Sequence, residues 1–385
     1  MENIIDVLNG ELAGRRHKVW TEINLAALAR NYKRIEKIVL SKNKEAKVIP
    51  VIKADAYGHG AAKVIETLVE CGAKTFAVSA VSEAVELAKT CPDADILILG
   101  YTDVCDVDLL IKYNLIQTVY SSDYAKALNE ACDELYGNLR VHIKLDSGMN
   151  RLGFDTRDVE KTVSDIMCVS ELEHLKIEGI FTHFACADEK ESDMTSRQSA
   201  LFEEIVEKLE SLNVHFNVKH VCNSAGILRD DVPVYDAVRA GIILYGLMPS
   251  YDFDEPELET VMTLKARVAH VHEIEPGESV SYGARFVADK KMKIATLPIG
   301  YADGFIRAYA SSNVMIGGKR CPVVGRICMD QCMVDVSGVD VTRGDEAVIF
   351  ENRSQVQELA LLAHTIGYEV LCLIGKRVPR IYIDK

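Results

Sequence analysis

The 385-residue chain reads as an α/β protein, a (β/α)8 TIM-type barrel followed by a mostly β C-terminal domain. Three observations predict this. Eight short β-branched runs, most of them followed by a helical pattern, occupy about 200 residues, as a barrel of this kind requires. After about residue 257 the texture changes to short strands broken by Gly, Pro, Asn and Asp. The length exceeds what one ordinary core needs, so a second domain has room to form. A doubly wound sheet is the competing architecture. It would usually carry a Gly-rich fingerprint after its first strand, and none is present.

The barrel strands are expected near 47–54, 75–80, 96–100, 117–121, 141–146, 177–184, 218–224 and 238–246. GAAKVIETLVECG, after the first, is apolar at helical spacing and closed by a glycine. VSEAVELAKT and DYAKALNEACDELYG repeat that pattern. RQSALFEEIVEKLESLN is the longest helix, with Glu and Lys on its polar face. The barrel is expected over 18–257 and the β domain over 258–385, joined by the acidic DFDEPELE, 252–259. The residues near 1–20 are expected to pack with the β domain. In that domain a helical pattern returns only at VQELALLAHTIGY.

Composition narrows the function. At 48% hydrophobic and 26% charged residues the chain is globular, and a net charge of −14 without a basic run makes nucleic acid an unexpected partner. The N-terminal MENIIDVLNGELAGRRHKVW lacks the pattern of a signal peptide, and no apolar run approaches the ~18 residues of a membrane span. The 11 cysteines are scattered and include no C-x-x-C pair. Cys321, Cys328 and Cys332 have no common zinc spacing, so no metal is expected. Unpaired cysteines suit a reducing compartment, which points to the cytoplasm.

Catalytic groups of such barrels sit at the C-terminal strand ends. There the chain carries Lys53 on strand one, then Lys144, Asp146 and Arg151 after strand five. His183 follows strand six, Asn223 and Ser224 follow strand seven, and Arg239 and Gly241 lie on strand eight. Phosphate sites form after strands seven and eight, from backbone N–H groups at a tight turn or short helix. Ser224 offers a hydroxyl there, and Gly241 lets the backbone approach closely. A lysine amine opposite a phosphate site suits Schiff-base chemistry with a phosphorylated aldehyde, which points to pyridoxal 5'-phosphate (PLP).

VIKADAYGHG, KLDSGMNRLGF, FTHFACAD, CNSAGILR, VRAGIILYGL, VSYGARF, LPIGYADGF and VGRICMDQ, in this order, resemble the alanine racemase family. The resemblance covers nearly the whole chain beyond the first ~17 residues. It implies a PLP-dependent isomerase that interconverts L- and D-alanine, acts as a homodimer and supplies D-alanine for cell-wall peptidoglycan. It implies that Lys53 binds the cofactor covalently and serves one face of the substrate, with Tyr282 serving the other. Tyr57, Ser224 and the backbone at Gly241 and Ile242 would hold the phosphate. Arg239 would meet the pyridine nitrogen, supported by His183. Arg151 would bind the substrate carboxylate, oriented by Lys144. Tyr282, with Met329, would come from a partner subunit, and Tyr301 would narrow the approach.

A tyrosine with an ordinary pKa of about 10 is a poor base at neutral pH. The two-base scheme therefore calls for positive charge nearby, expected from His183 and the arginines. One position departs from the family pattern. In CLIGKRVPRIY, Lys376 stands where many members have a tyrosine near the phosphate. It would supply a charged phosphate contact, or loosen the wall and admit serine. A serine or broad-specificity racemase is the alternative enzyme. A PLP-dependent decarboxylase of this plan would carry a Gly-Gly-Gly loop, which is absent. A PLP carrier protein, the non-enzymatic alternative, is a lone barrel without a domain bearing Tyr282.

Overall fold

The structure, a computed structural model, describes residues 17–385. The expectation for residues 1–16 lies outside them. The described chain divides into two compact units.

The larger unit comprises residues 28–56 and 60–259. Its eight parallel strands are Lys47–Pro50, Thr75–Val78, Asp95–Ile98, Ile116–Val119, Leu139–Asp146, Leu175–Phe181, Val218–His220 and Ala237–Ala240. From Thr75–Val78 onward each pairs with the next in chain order, Ala237–Ala240 returns to pair Lys47–Pro50, and a parallel bridge from Val51 to Ala77 closes the ring. Strands such as Ile116–Val119 are buried throughout, as parallel strands covered on both faces must be.

The surrounding helices are amphipathic. In Ala61–Glu70 the buried residues are Ala61, Val64, Ile65 and Leu68, the spacing of a single helical face. Ser121 and Asp158 cap two later helices, accepting from the N–H groups of Tyr124 and Lys161 at 3.2 and 3.0 Å.

The smaller unit holds the described residues up to Ala27, Tyr57–His59 and Thr260–Lys385. Its nine-stranded sheet runs in the order His270–Ile274, Met292–Leu297, Cys332–Asp335, Lys319–Val324, Asn313–Ile316, Glu346–Phe350, Met262–Arg267, Val19–Asn24, Arg380–Ile383. Here the structure departs from the barrel boundary expected at residue 18. Val19–Asn24 lies antiparallel to Met262–Arg267 and parallel to Arg380–Ile383. Trp20 is buried there, with the Arg267 guanidinium 4.9 Å from its ring centroid. Periodicity marks such a strand but does not say which sheet it joins.

Among the described residues no helix is long and apolar enough to cross a membrane. None of the 11 cysteines forms a disulfide.

Candidate active site

Strand one was expected to continue through Ala54. It ends at Pro50, and Lys53 opens a helical turn, Lys53–Gly58, of the opposite hand. Ala54, Asp55, Ala56 and Tyr57 all have φ between 52° and 54°. The Ala56 N–H donates to the Ile52 carbonyl at 3.0 Å, four residues back, as in a helix. A left-handed conformation costs about 1–2 kcal/mol per L-residue, so this turn stores on the order of 4–8 kcal/mol. Specific contacts hold it in place. Glu83 accepts from the Ala54 N–H at 2.6 Å and also from Ser79 and Ala80 at 3.0 and 3.2 Å. Asp55 accepts from the Ala61 N–H at 2.8 Å. The turn makes the lysine's backbone rigid at the strand end.

Arg239, on strand eight, is 2% exposed. Its Nη1 donates to the His220 carbonyl at 2.9 Å and meets His220 Nδ1 at 2.7 Å. Its Nη2 donates to the carbonyls of Thr182 and Val221 at 2.8 and 3.0 Å and meets His183 Nδ1 at 3.2 Å. The four Nη protons are therefore spent on carbonyls and imidazoles. Among the described residues no carboxylate pairs with Arg239, and none accepts from its Nε–H. The Phe181 ring lies 5.2 Å from the guanidinium and stacks on His220 with centroids 4.7 Å apart.

His183 was expected to supply positive charge. Instead burial, followed by the charges of Arg239, Arg151, Lys144 and Lys53, holds its pKa well below the usual histidine value. It is a neutral ring in a cluster of cations. Lys144 is buried at the end of strand five, donating to the Leu152 carbonyl. Burial, then Arg151, depresses its pKa to about 8, against the pull of Asp146. Asp146 shapes the loop after the strand. One carboxylate oxygen accepts from the N–H groups of Gly148 and Asn150 at 3.1 and 2.9 Å, the other from Arg151 at 2.9 Å. The Arg151 side chain is left exposed.

At the ends of strands seven and eight, the Gly241 N–H donates to Ser224 Oγ at 3.0 Å. Ser224 begins a short helix, Ser224–Leu228, capped by Asn223, and Gly241 precedes the 3-10 helix Ile242–Tyr245. The first turns of both leave N–H groups without intrahelical acceptors.

The remaining expected residues lie in the smaller unit. The Tyr57 side chain is buried, its ring 6.2 Å from that of Tyr368, and burial pushes its phenol pKa up. Tyr282 is exposed on a turn that follows Ser281 at φ 68°. Ser281 Oγ donates to the Arg326 carbonyl at 2.6 Å, and the Tyr301 N–H donates to the Cys328 carbonyl at 3.1 Å. These bonds gather the loops of Tyr282, Met329 and Tyr301. Arg377 ties two of them, donating to Asp303 and to Asp330 at 2.6 Å each. Lys376, beside it, is exposed.

Sequence reasoning missed Glu83, His142, His220 and Gln198. The last is buried and holds the chain after strands five and six, donating to Ser147 Oγ and the His183 carbonyl at 3.1 Å each. For His142, His220 and Gln198 the signal was a polar residue on a buried strand or helix face, a weak one in any single sequence. Among the described residues no group of three or more His, Cys, Asp or Glu is placed to hold a metal.

Residues 23–249 match the family model for the alanine racemase N-terminal domain, and residues 261–382 that for the C-terminal domain. The chain belongs to the alanine racemase family. It is 43% identical over 374 residues to an alanine racemase of Clostridium novyi, with 95% of each chain covered. It is 44% identical over 373 residues to alanine racemase 1 of Clostridium acetobutylicum, with the same coverage. Among solved structures it resembles alanine racemase of Clostridium difficile 630, with a TM-score of 0.91, 39% identity and 96% of each chain covered. Alanine racemase from Bacillus anthracis with bound L-Ala-P gives a TM-score of 0.89 at 32% identity, covering 96% of this chain and 95% of that one.

Alanine racemases depend on PLP, and the residues here fit that cofactor. A buried arginine has one unspent N–H for a ring nitrogen. A serine hydroxyl and helix-start N–H groups suit a phosphate. Lys53, at the strand end, carries the amine that an aldehyde requires.

Proposed function

We propose that this chain is a PLP-dependent racemase that interconverts L-alanine and D-alanine with two acid/base groups, Lys53 and Tyr282. The observation that carries the reading is Arg239, a buried guanidinium with its Nη protons committed and its Nε–H unspent. A guanidinium stays protonated and cannot give its proton up, so a ring nitrogen that accepts from it remains unprotonated. When bound, PLP acts as the electron sink that acidifies the α C–H of an amino acid joined to it.

The side chains then have distinct tasks. Lys53 Nζ would hold the cofactor, and its amine would take or return the α-proton on one face. Tyr282 Oη serves the opposite face. Arg151 binds the substrate carboxylate, and Lys144 orients its loop through the Leu152 carbonyl. Tyr57 and Ser224 bind the phosphate, with the N–H groups near Gly241 and Ile242. Met329 and Tyr301 line the approach, and Lys376 adds positive charge toward the phosphate. His183 contributes a neutral ring beside Arg239.

The working form is a homodimer in which Tyr282 of the partner subunit completes the site. Exposure of Tyr282 and Met329, at 71% and 53%, supports this. Eleven cysteines without a disulfide support a cytoplasmic address, where D-alanine would feed cell-wall synthesis.

The test is a racemisation assay of the purified chain across small amino acids, with and without added PLP. Fast PLP-dependent turnover of alanine, with serine far slower, is expected. Comparable catalytic efficiency on serine would overturn the substrate, and no turnover of any amino acid would overturn the function.

A further inference from the structure

Arg239 sets the direction of a buried hydrogen-bond chain. A guanidinium only donates, so His220 Nδ1, 2.7 Å from its Nη1, must accept. A neutral imidazole that accepts at Nδ1 carries its proton on Nε2. His220 Nε2 lies 3.0 Å from His142 Nδ1, which must accept in turn and place the His142 proton on its own Nε2. Both rings are buried, and burial lowers the pKa of each from the usual histidine value, His142 to about 4. Protonating either Nδ1 would set two donors against each other.

Packing fixes both rings as well. Phe181 stacks on His220 with an interplanar angle of 10°. Gly179 lies against His142, where a Cβ would come within 2.7–2.8 Å of three ring atoms. The order of protons therefore runs from the arginine on strand eight, through strand seven, to strand five.

We infer that His142, which does not itself touch Arg239, is a positioning residue: through His220 it fixes the frame in which Arg239 presents its Nε–H to the cofactor's ring nitrogen. This rests on the proposed role of Arg239 toward PLP. Without an acceptor at His142, the buried His220 Nε2–H loses the partner it has there among the described residues. The ring could recover one by turning over, and would then release the arginine.

The experiment has two arms. In the 15N-histidine-labelled holoenzyme, His142 and His220 are expected as neutral Nε2–H tautomers at neutral pH. A Nδ1–H tautomer or an imidazolium on either ring would overturn the inference, whatever the variants do. In the second arm, apo-protein is titrated with PLP and followed by cofactor absorbance. His142→Leu should weaken PLP binding about tenfold or more, the effect of an orphaned buried donor. His142→Asn, whose Oδ1 replaces the Nδ1 acceptor, should restore binding to within about threefold of wild type. Unchanged binding in His142→Leu, or equal weakening in both variants, would overturn it. A wild-type chain that takes up no PLP would instead sink the functional reading on which it rests.

Discussion

Glu83→Ala removes the acceptor that holds the left-handed turn at Lys53. Glu83 takes three backbone N–H groups, the shortest from Ala54 at 2.6 Å. The Ser79 and Ala80 groups stand at a helix start, where water can replace the carboxylate. The Ala54 group is different, because it belongs to the turn whose conformation costs on the order of 4–8 kcal/mol. A hydrogen bond to a charged group contributes about 1.5–3 kcal/mol, so losing it together with part of the other two should cost ~2–4 kcal/mol locally. Amide exchange over residues 54–57 should then accelerate about 30- to 700-fold at tenfold per 1.4 kcal/mol. Exchange on distant barrel strands should change far less. Glu83→Gln keeps a neutral acceptor and should fall between. Hydrogen-exchange mass spectrometry reads this at peptide resolution. Unchanged protection over 54–57 in Glu83→Ala would refute the reasoning that this carboxylate offsets the strain.

Three further outcomes are expected. Arg377→Ala should destabilise the smaller unit by ~1–3 kcal/mol, because Asp303 is buried and, among the described residues, keeps the Gly300 N–H, while the half-exposed arginine limits the loss. Arg377→Lys should recover only part, since a lysine cannot fork between Asp303 and Asp330, and full recovery in a urea melt would contradict the bridging role. His142 is faced by His220, and Glu178, Arg140, Arg239 and Asp95 also act on it. Its pKa falls from 6.5 to about 4 on folding, so the unfolded chain binds the extra proton between those values. That contribution to stability is present above pH 6.5 and is lost, by about 3 kcal/mol, as pH falls toward 4. His142→Asn should flatten the fall in urea midpoint between neutral and acid pH, and identical slopes would count against it. Finally, Lys53→Ala and Tyr282→Phe proteins, each nearly inactive, should regain about one quarter of wild-type activity when their subunits are mixed, since half the dimers are hybrid and each hybrid has one intact site. No regain after verified exchange would exclude a shared site.

The barrel was legible because parallel strands buried on both faces are short, mostly apolar runs, and TFAV and DILI leave little else to read. Lys53, Ser224 and Arg239 were legible as polar residues at the ends of such runs. The turn after Lys53 was not. Ala, Asp, Ala and Tyr carry no sequence signal for positive φ, which glycine would have supplied. The groups that support the site were hidden for a related reason. Glu83 reads as an ordinary first-turn acid, and His142 and His220 read as strand residues. Each gains its meaning from a partner 19 to 78 residues away. The pairing of the strand Val19–Asn24 was not legible, because its partners, Met262–Arg267 and Arg380–Ile383, come more than two hundred residues later.

Lys53 and Tyr282 as bases on opposite faces make a claim that isotope exchange reads directly. L-alanine incubated with the PLP-loaded protein in deuterium oxide should give D-alanine that carries solvent deuterium at Cα, while early recovered L-alanine stays largely unlabelled. D-alanine that retains the substrate's own α-proton, or the absence of D-alanine, would contradict the assignment of the two bases.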